Sequence, residues 1–509
     1  MTSYWGSVSS APGPAAGTSP SADVVVVGSG AGGGVIAGEL ASRGRDVVLL
    51  EAGPHRTAAD FSRWEAHGMH DLWWPTRFAA IDGGAEMVFI IGGRCVGGTT
   101  TINTKVALRA HDADFAKWSA AAGLRGADGG PFTIADLAAH YDRVEQRLGV
   151  RERRDWSPAV RNLVPGFEAL GLELEASHAY TDYNCMQCGS CIQGCPTNSG
   201  KNTMNVYIHP PWKEGRLDLR AECPANRILI EDRDGVPTAV GVEYTDPEGQ
   251  VRTIAADVVV VAGGALNTPQ LMLRSGMGSL PSGHQIGRNV GWHPVRLVCG
   301  LFDEVQDAHM IFPIMAHSTN NQTDEQGGYM LEAATVQDPI GFASGMTDED
   351  GPVWGQRLVD RMKRYRYWGG VLAMVTDDNH GQVAIDADGN EQITGFFSEV
   401  ERKRLDDALE MSKKVLAAAG ATELVWSGIS CTHVQGSVRM GADPARSAVD
   451  GNAESHDVKR LFVGDGSVIP TTISVNPSLT IMAMADRLAD HIDADASGYL
   501  SGNRAAAAA

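Results

Sequence analysis

The sequence predicts an α/β fold with a parallel βαβ core and a discontinuous second domain built on an antiparallel sheet. Three observations predict it. The stretch "DVVVVGSGAGGGVIAGELASRGRDVVLLEAG" (23–53) reads as a buried strand, a glycine turn, a helix and a second strand. "AADVVVVAGGALNTPQLMLRSG" (255–276) repeats strand, turn and helix far along the chain. Between 295 and 430, runs such as "GGVLAMVTDD" and "GQVAIDADGNEQITGFF" alternate, and the second carries an Asp-Gly hairpin signal.

The first stretch holds G-x-G-x-x-G at Gly28, Gly30 and Gly33. Gly28 suits a tight turn, Gly30 lets the backbone approach a pyrophosphate, and Gly33 permits close helix packing. Glu51 ends the second strand, where a carboxylate can accept ribose hydroxyl hydrogen bonds. This is a Rossmann-like dinucleotide-binding pattern, and it does not separate NAD from FAD. A second glycine block, "GRCVGGTTTINTKVALR" (93–109), offers backbone N–H groups at Gly97 and Gly98, then small hydroxyl residues and Asn103. Such a strip can lie against a flat heterocycle.

Bulk properties narrow the class. A chain of 509 residues is long enough for two or more domains. Its formal charge of -20 repels phosphate backbones and argues against a nucleic-acid partner. No apolar run reaches the ~18 residues of a membrane span. The opening segment shows no basic n-region, apolar core or twin arginine, so 1–21 is expected to be a disordered tail and the chain cytoplasmic.

Towards the other end the chain reads "CTHVQGSVRMG" (431–441) and "LFVGDGSVIPTTISVNPSLTIMAMADRLADHI" (461–492). With the N-terminal fingerprint and the Gly-Gly-Thr block, these motifs resemble the glucose–methanol–choline (GMC) oxidoreductases, in family order over nearly the whole chain. The resemblance implies a p-hydroxybenzoate hydroxylase-like fold, FAD, and oxidation of an alcohol or sugar CH–OH group by hydride transfer to flavin N5. It divides the chain into an FAD-binding domain (22–110, 200–294, 431–495) and a substrate-binding domain (111–199, 295–430), with a second tail at 496–509. It also assigns His433 and Asn476 to the active site, and places Asp465 and Gly466 by the cofactor. Imidazole can take a hydroxyl proton near neutral pH. Asn476 can hydrogen-bond the substrate oxygen but cannot be the base. Pro477 suits the first position of the helix that follows, whose N-terminus favours negative charge; Asn476 could instead cap that helix. Some relatives link FAD covalently through a histidine near the glycine pair. None stands in "IIGGRCVGG" or "TTTIN", so noncovalent FAD is expected.

Most members of that family lack "CMQCGSCIQGCP" (185–196), within an insertion at 183–200. Cys185, Cys188, Cys191 and Cys195 carry the C-x2-C-x2-C-x3-C-P spacing of ferredoxin iron–sulfur runs. A 4Fe–4S centre closed by Cys195, a 3Fe–4S centre leaving it free, and Cys223 as replacement ligand all fit the spacing. Zinc usually takes two separated pairs, and disulfides suit secreted chains. The leading expectation is a dehydrogenase that passes electrons through the cluster to a carrier protein. The alternatives are an oxygen-reducing alcohol or sterol oxidase, a lyase on the same scaffold, or a noncatalytic electron-relay flavoprotein.

Overall fold

Runs of valine build the central sheet. Ser21–Val27, Val47–Leu50 and the end of Val251–Val261 are buried on both faces, as parallel strands covered by helices must be. They pair in parallel, Val24 opposite both Val47 and Val258. Leu217–Arg220 extends one side, and Leu461–Val463 pairs in parallel with Val259–Val261 on the other. The first half of Val251–Val261 also pairs antiparallel with Val236–Thr245, which in turn pairs with Ala225–Arg233. The seven strands thus form one mixed sheet. The computed structural model describes residues 20–499 apart from 76, 335 and 337, and apart from the side chains of 496 and 497.

One face carries the helix Gly33–Ser42, which packs on Ser478–Ala494, itself packed on Ala138–Leu148. Thr480 bonds the Tyr141 hydroxyl at 2.8 Å, and Asp486, 2% exposed, is held by His140 and Arg143. Among the described residues no helix is long and apolar enough to cross a membrane.

The second sheet has thirteen strands. Pro294–Leu301, Trp368–Val375, Tyr329–Ala334 and Ile314–Ser318 pair antiparallel in that order. The Asp-Gly hairpin forms between Gln382–Ile385 and Glu391–Gly395, with Gly389 at φ 82° in its turn. Helix Glu399–Ala418, capped by Ser398 and Glu401, packs on this sheet.

Several boundaries differ from expectation. Arg77–Ile81 and Glu86–Ile90 lie in the 22–110 segment but join the second sheet, because the hairpin that they form adds to Glu391–Gly395 and Ser430–Cys431. Conversely, Phe115, Trp118 and Tyr141 of the 111–199 segment are buried in the core of the first sheet. Ser21 is already in a strand and Ala496–Tyr499 is a short helix. The remainder of both expected tails, 1–19 and 500–509, lies outside the described residues.

One carboxylate joins the 111–122 region to the stretch that carries Asn476. Asp114, 1% exposed, accepts from the Ser474 N–H (3.0 Å), the Ser474 hydroxyl (2.9 Å) and the His111 N–H (3.0 Å). Beside it, Trp118 donates its ring N–H to the Thr471 carbonyl at 3.1 Å. Removing the carboxylate takes a partner from three part-buried donors; a typical hydrogen bond is worth about 0.5–1.5 kcal/mol net. Asp114→Ala is therefore expected to lower the denaturant midpoint clearly, with Asp114→Asn recovering part of the loss; an unchanged midpoint would contradict this account.

Candidate active site and cofactor cavity

A cavity of about 410 Å³ runs along the junction of the two sheets, from Glu51 and the glycine turn at one end to His433 and Asn476 at the other. The turn is shaped by backbone contact. A Cβ on Gly28 (φ 97°) would stand 2.2 Å from the Ala262 carbonyl oxygen, and one on Gly33 would stand 2.0 Å from that of Gly28. A Cβ on Gly30 would meet nothing within 4 Å, because Gly30 faces the cavity. An open groove against bare backbone at a helix N-terminus suits a pyrophosphate.

Ser29, within the fingerprint, carries a role that the glycine pattern did not reveal. Its hydroxyl donates to the Glu51 carboxylate at 2.6 Å and accepts the Gly97 N–H at 2.9 Å. The Glu51 carboxylate also accepts the N–H groups of Ser29 and Gly53. Burial pushes its pKa up against the pull of these bonds. Glu51, Gly98 and Asn103 line the cavity, whereas Gly33 and Gly97 stand behind it and shape the wall. Asn103 donates to the Tyr180 hydroxyl. Asp465 borders the cavity and pins two turns, accepting from Thr268 (2.6 Å) and the Gly264 N–H (2.8 Å) on one oxygen and from Ser467 on the other. Gly466 lies beside it on the wall.

At the far end His433 sits deep in the protein with one side open to the cavity. Burial draws its pKa down to about 4, and its Nδ1 has no hydrogen-bond partner. Two residues of this end escaped the sequence reading. The His293 ring stands 5.1 Å from that of His433, is fully buried, and has both nitrogens unpartnered. Burial and the neighbouring imidazole hold its pKa well below the usual value. Glu332, 0% exposed, lies in the strand Tyr329–Ala334; burial pushes its carboxyl up to about 8, opposed by the Asn476 amide. A lone acid in the apolar run "YMLEAA" was the available signal for it.

Asn476 does not cap the helix Ser478–Ala494. Pro477, already in helical conformation (φ -79°, ψ -12°), precedes the helix, and the Asn476 side-chain oxygen has no hydrogen-bond partner. The Asn476 side chain borders the cavity, where Pro477 and Ser478 also lie.

The four cysteines converge on one small pocket beside the main cavity, with Thr181 and Phe312 in its wall. None is in a disulfide. Among the described residues no three of their sulfurs lie within 4.8 Å of one another. A single tetrahedral ion with Zn–S bonds near 2.3 Å would draw four sulfurs to about 3.8 Å of each other, closer than these sulfurs stand. Cys195 accepts the Gly200 N–H at 3.2 Å. Burial works to raise its pKa, yet Thr197, Gly200 and the charge of Lys105 hold it below the ordinary thiol value. Burial pushes Cys191 up to about 12. Cys223 is not a fifth member. It borders the main cavity near Glu51, whose carbonyl accepts its N–H. The pocket and the cavity share a wall: Ile192, next to Cys191, lines the cavity, and Trp73 holds its carbonyl at 3.1 Å.

Comparison with known proteins agrees with this geometry. The two family models of GMC oxidoreductases match residues 19–295 and 377–485. A GMC-type oxidoreductase of Mycobacterium tuberculosis is 30% identical over 92% of this chain and 75% of its own length. A long-chain-alcohol oxidase of Arabidopsis thaliana is 28% identical over 91% of this chain, which spans 66% of that relative. The solved pyridoxine 4-oxidase of Mesorbium loti superposes with a TM-score of 0.73 at 18% identity, over 93% of this chain and 99% of that one, and so shares the fold. With both family models matched and the glycine turn, Glu51, Asp465, His433 and Asn476 gathered on one cavity, the chain belongs to the GMC oxidoreductase family.

Proposed function

We propose that this protein oxidises an alcohol or sugar CH–OH group to the carbonyl. The reading is carried by the pairing of His433 and Asn476 at one end of the cavity, with His433 neutral at working pH. FAD, when held by the cavity that runs from Glu51 to His433, would supply the acceptor for the hydride that leaves the carbinol carbon. The chain does the rest. His433 takes the hydroxyl proton on the nitrogen that faces the cavity. The Asn476 amide holds the substrate oxygen. The helix Ser478–Ala494 presents its N-terminus to the same end, where roughly half a positive charge favours electron density. FAD is held noncovalently: His433 is the histidine among the cavity-lining residues, and it is committed to the proton.

For the electrons' exit we favour an iron–sulfur centre on Cys185, Cys188, Cys191 and Cys195, feeding a carrier protein. The shared wall at Ile192 and the gathering of four unpaired thiols on one pocket support it. Direct reduction of oxygen is the second reading, favoured by the relative named as an alcohol oxidase.

Three measurements bear on these assignments. In rapid mixing without oxygen, His433→Ala should reduce its flavin at least about a hundredfold more slowly than wild type, with FAD retained, and Asn476→Ala should lose less. Near-normal reduction in His433→Ala would refute the base. Protein prepared anaerobically should contain iron and sulfide, and Cys188→Ser should keep substrate-driven flavin reduction but lose transfer to a one-electron acceptor; normal transfer would leave the cysteines structural. Glu332 supplies a pH signature. Its carboxyl keeps a proton up to about 8 when folded but only up to about 4.5 when unfolded. The stabilisation this proton brings is complete below that window and is lost as pH rises through it. Glu332→Gln should therefore show a flatter fall in melting temperature across the same window than wild type, and parallel curves would remove the buried carboxyl from the account.

A further inference from the structure

We propose that Lys105 is the built-in counter-charge of the four-cysteine pocket, placed between that pocket and the cofactor cavity, and that it favours the reduced state of the centre held there. The inference rests on the reading of the cysteines as a cluster site given above. Lys105 is 0% exposed, and its ammonium donates to the Thr100 and Thr101 carbonyls, with no carboxylate partner among the described residues. An ammonium taken out of water without an anion is destabilising by several kcal/mol, and the chain has 62 acidic side chains from which one could have been placed beside it. Sulfur is there instead. A Cβ on Gly200 would lie 3.1 Å from the Lys105 Cε and 3.5 Å from the Cys195 Sγ, so one glycine is all that separates the two side chains.

The backbone is bent to achieve this. Lys105 has φ 62°, the left-handed region that a lysine seldom adopts. The carbonyls that it binds belong to the short helix Thr99–Ile102, three residues of which line the cavity. On another side of the pocket a second cation, Arg153, is 0% exposed. It bonds the Thr181 hydroxyl at 3.1 Å and lies 4.6 Å over the Phe312 ring, and both of those residues line the pocket. Asp155 partly balances Arg153; among the described residues nothing comparable balances Lys105. Two disulfides would carry no charge and leave the ammonium uncompensated. A set of thiolates around iron carries net negative charge and compensates it, and a cation a few ångströms away eases the arrival of a further electron.

The test uses anaerobically purified protein with FAD bound. Wild type, Lys105→Met and Lys105→Arg are compared for iron, acid-labile sulfide and the midpoint potential of the centre, followed by its spin-resonance signal. Removal of the charge should shift the reduction equilibrium at least about tenfold towards the oxidised form, ~59 mV more negative for one electron, and Lys105→Arg should return it towards wild type. If Lys105→Met fails to fold, Lys105→Gln, which keeps a donor for the two carbonyls, takes its place. A centre present in all variants at an unchanged potential overturns the counter-charge and leaves the cluster standing. Wild-type protein without iron and sulfide overturns both.

Discussion

The approach of bare backbone to bare backbone at the glycine turn is the constraint from which the cavity follows. A Cβ on Gly32 would stand 1.6 Å from the Gly464 carbonyl oxygen, and one on Gly98 would stand 2.8 Å from the Gly30 Cα. The turn after the first strand is thus in contact with three distant segments at once: those of Ala262, Gly464 and Gly98. That contact lets the helix Gly33–Ser42 sit low on the sheet and brings Ser29 within reach of both Glu51 and Gly97. A side chain at these points would force apart the segments that supply Asp465, Asn103 and the reaction end.

The two ends of the cavity solve opposite electrostatic problems. At the nucleotide end every oxygen of Glu51 and Asp465 is already hydrogen-bonded, so these carboxylates hold the walls and offer their remaining lone pairs. At the reaction end several buried polar atoms have no hydrogen-bond partner: both nitrogens of His293, Nδ1 of His433 and the side-chain oxygen of Asn476. Unpaired groups of this kind destabilise a folded chain and are rare. Desolvation keeps the imidazoles neutral and Glu332 protonated, so the site carries little charge of its own while the helix Ser478–Ala494 supplies a fixed dipole.

Much of the frame was legible because the relevant signals are local. Valine runs, glycine spacing and the Asp-Gly turn need only a few neighbours to be read, and they predicted the strands and hairpin. His433 and Asn476 were found through the motifs around them. Ser29, His293 and Glu332 were not, because their meaning comes from pairing across the chain: Glu332 faces Asn476 over more than a hundred residues, and no window contains both. The domain boundaries shifted for the same reason, since the hairpin Arg77–Ile90 chooses its sheet by its partners at 391–395 and 430–431. The Asn476 cap did not form, for the Asn476 side-chain oxygen is left without a partner.

The parallel pairing of Val259 with Leu461 closes the central sheet across about 200 residues of intervening chain. Loops of that size are slow to close, and contacts so distant in sequence dominate folding times. On the ribosome, the fingerprint and its first two strands emerge long before the strand Leu461–Val463 that seals them. During synthesis the nascent chain therefore holds an exposed valine-rich sheet edge with no cofactor groove, a period in which the edge is open to aggregation. Cofactor loading is in consequence a late event of biogenesis, and chaperone demand falls on the interval before it.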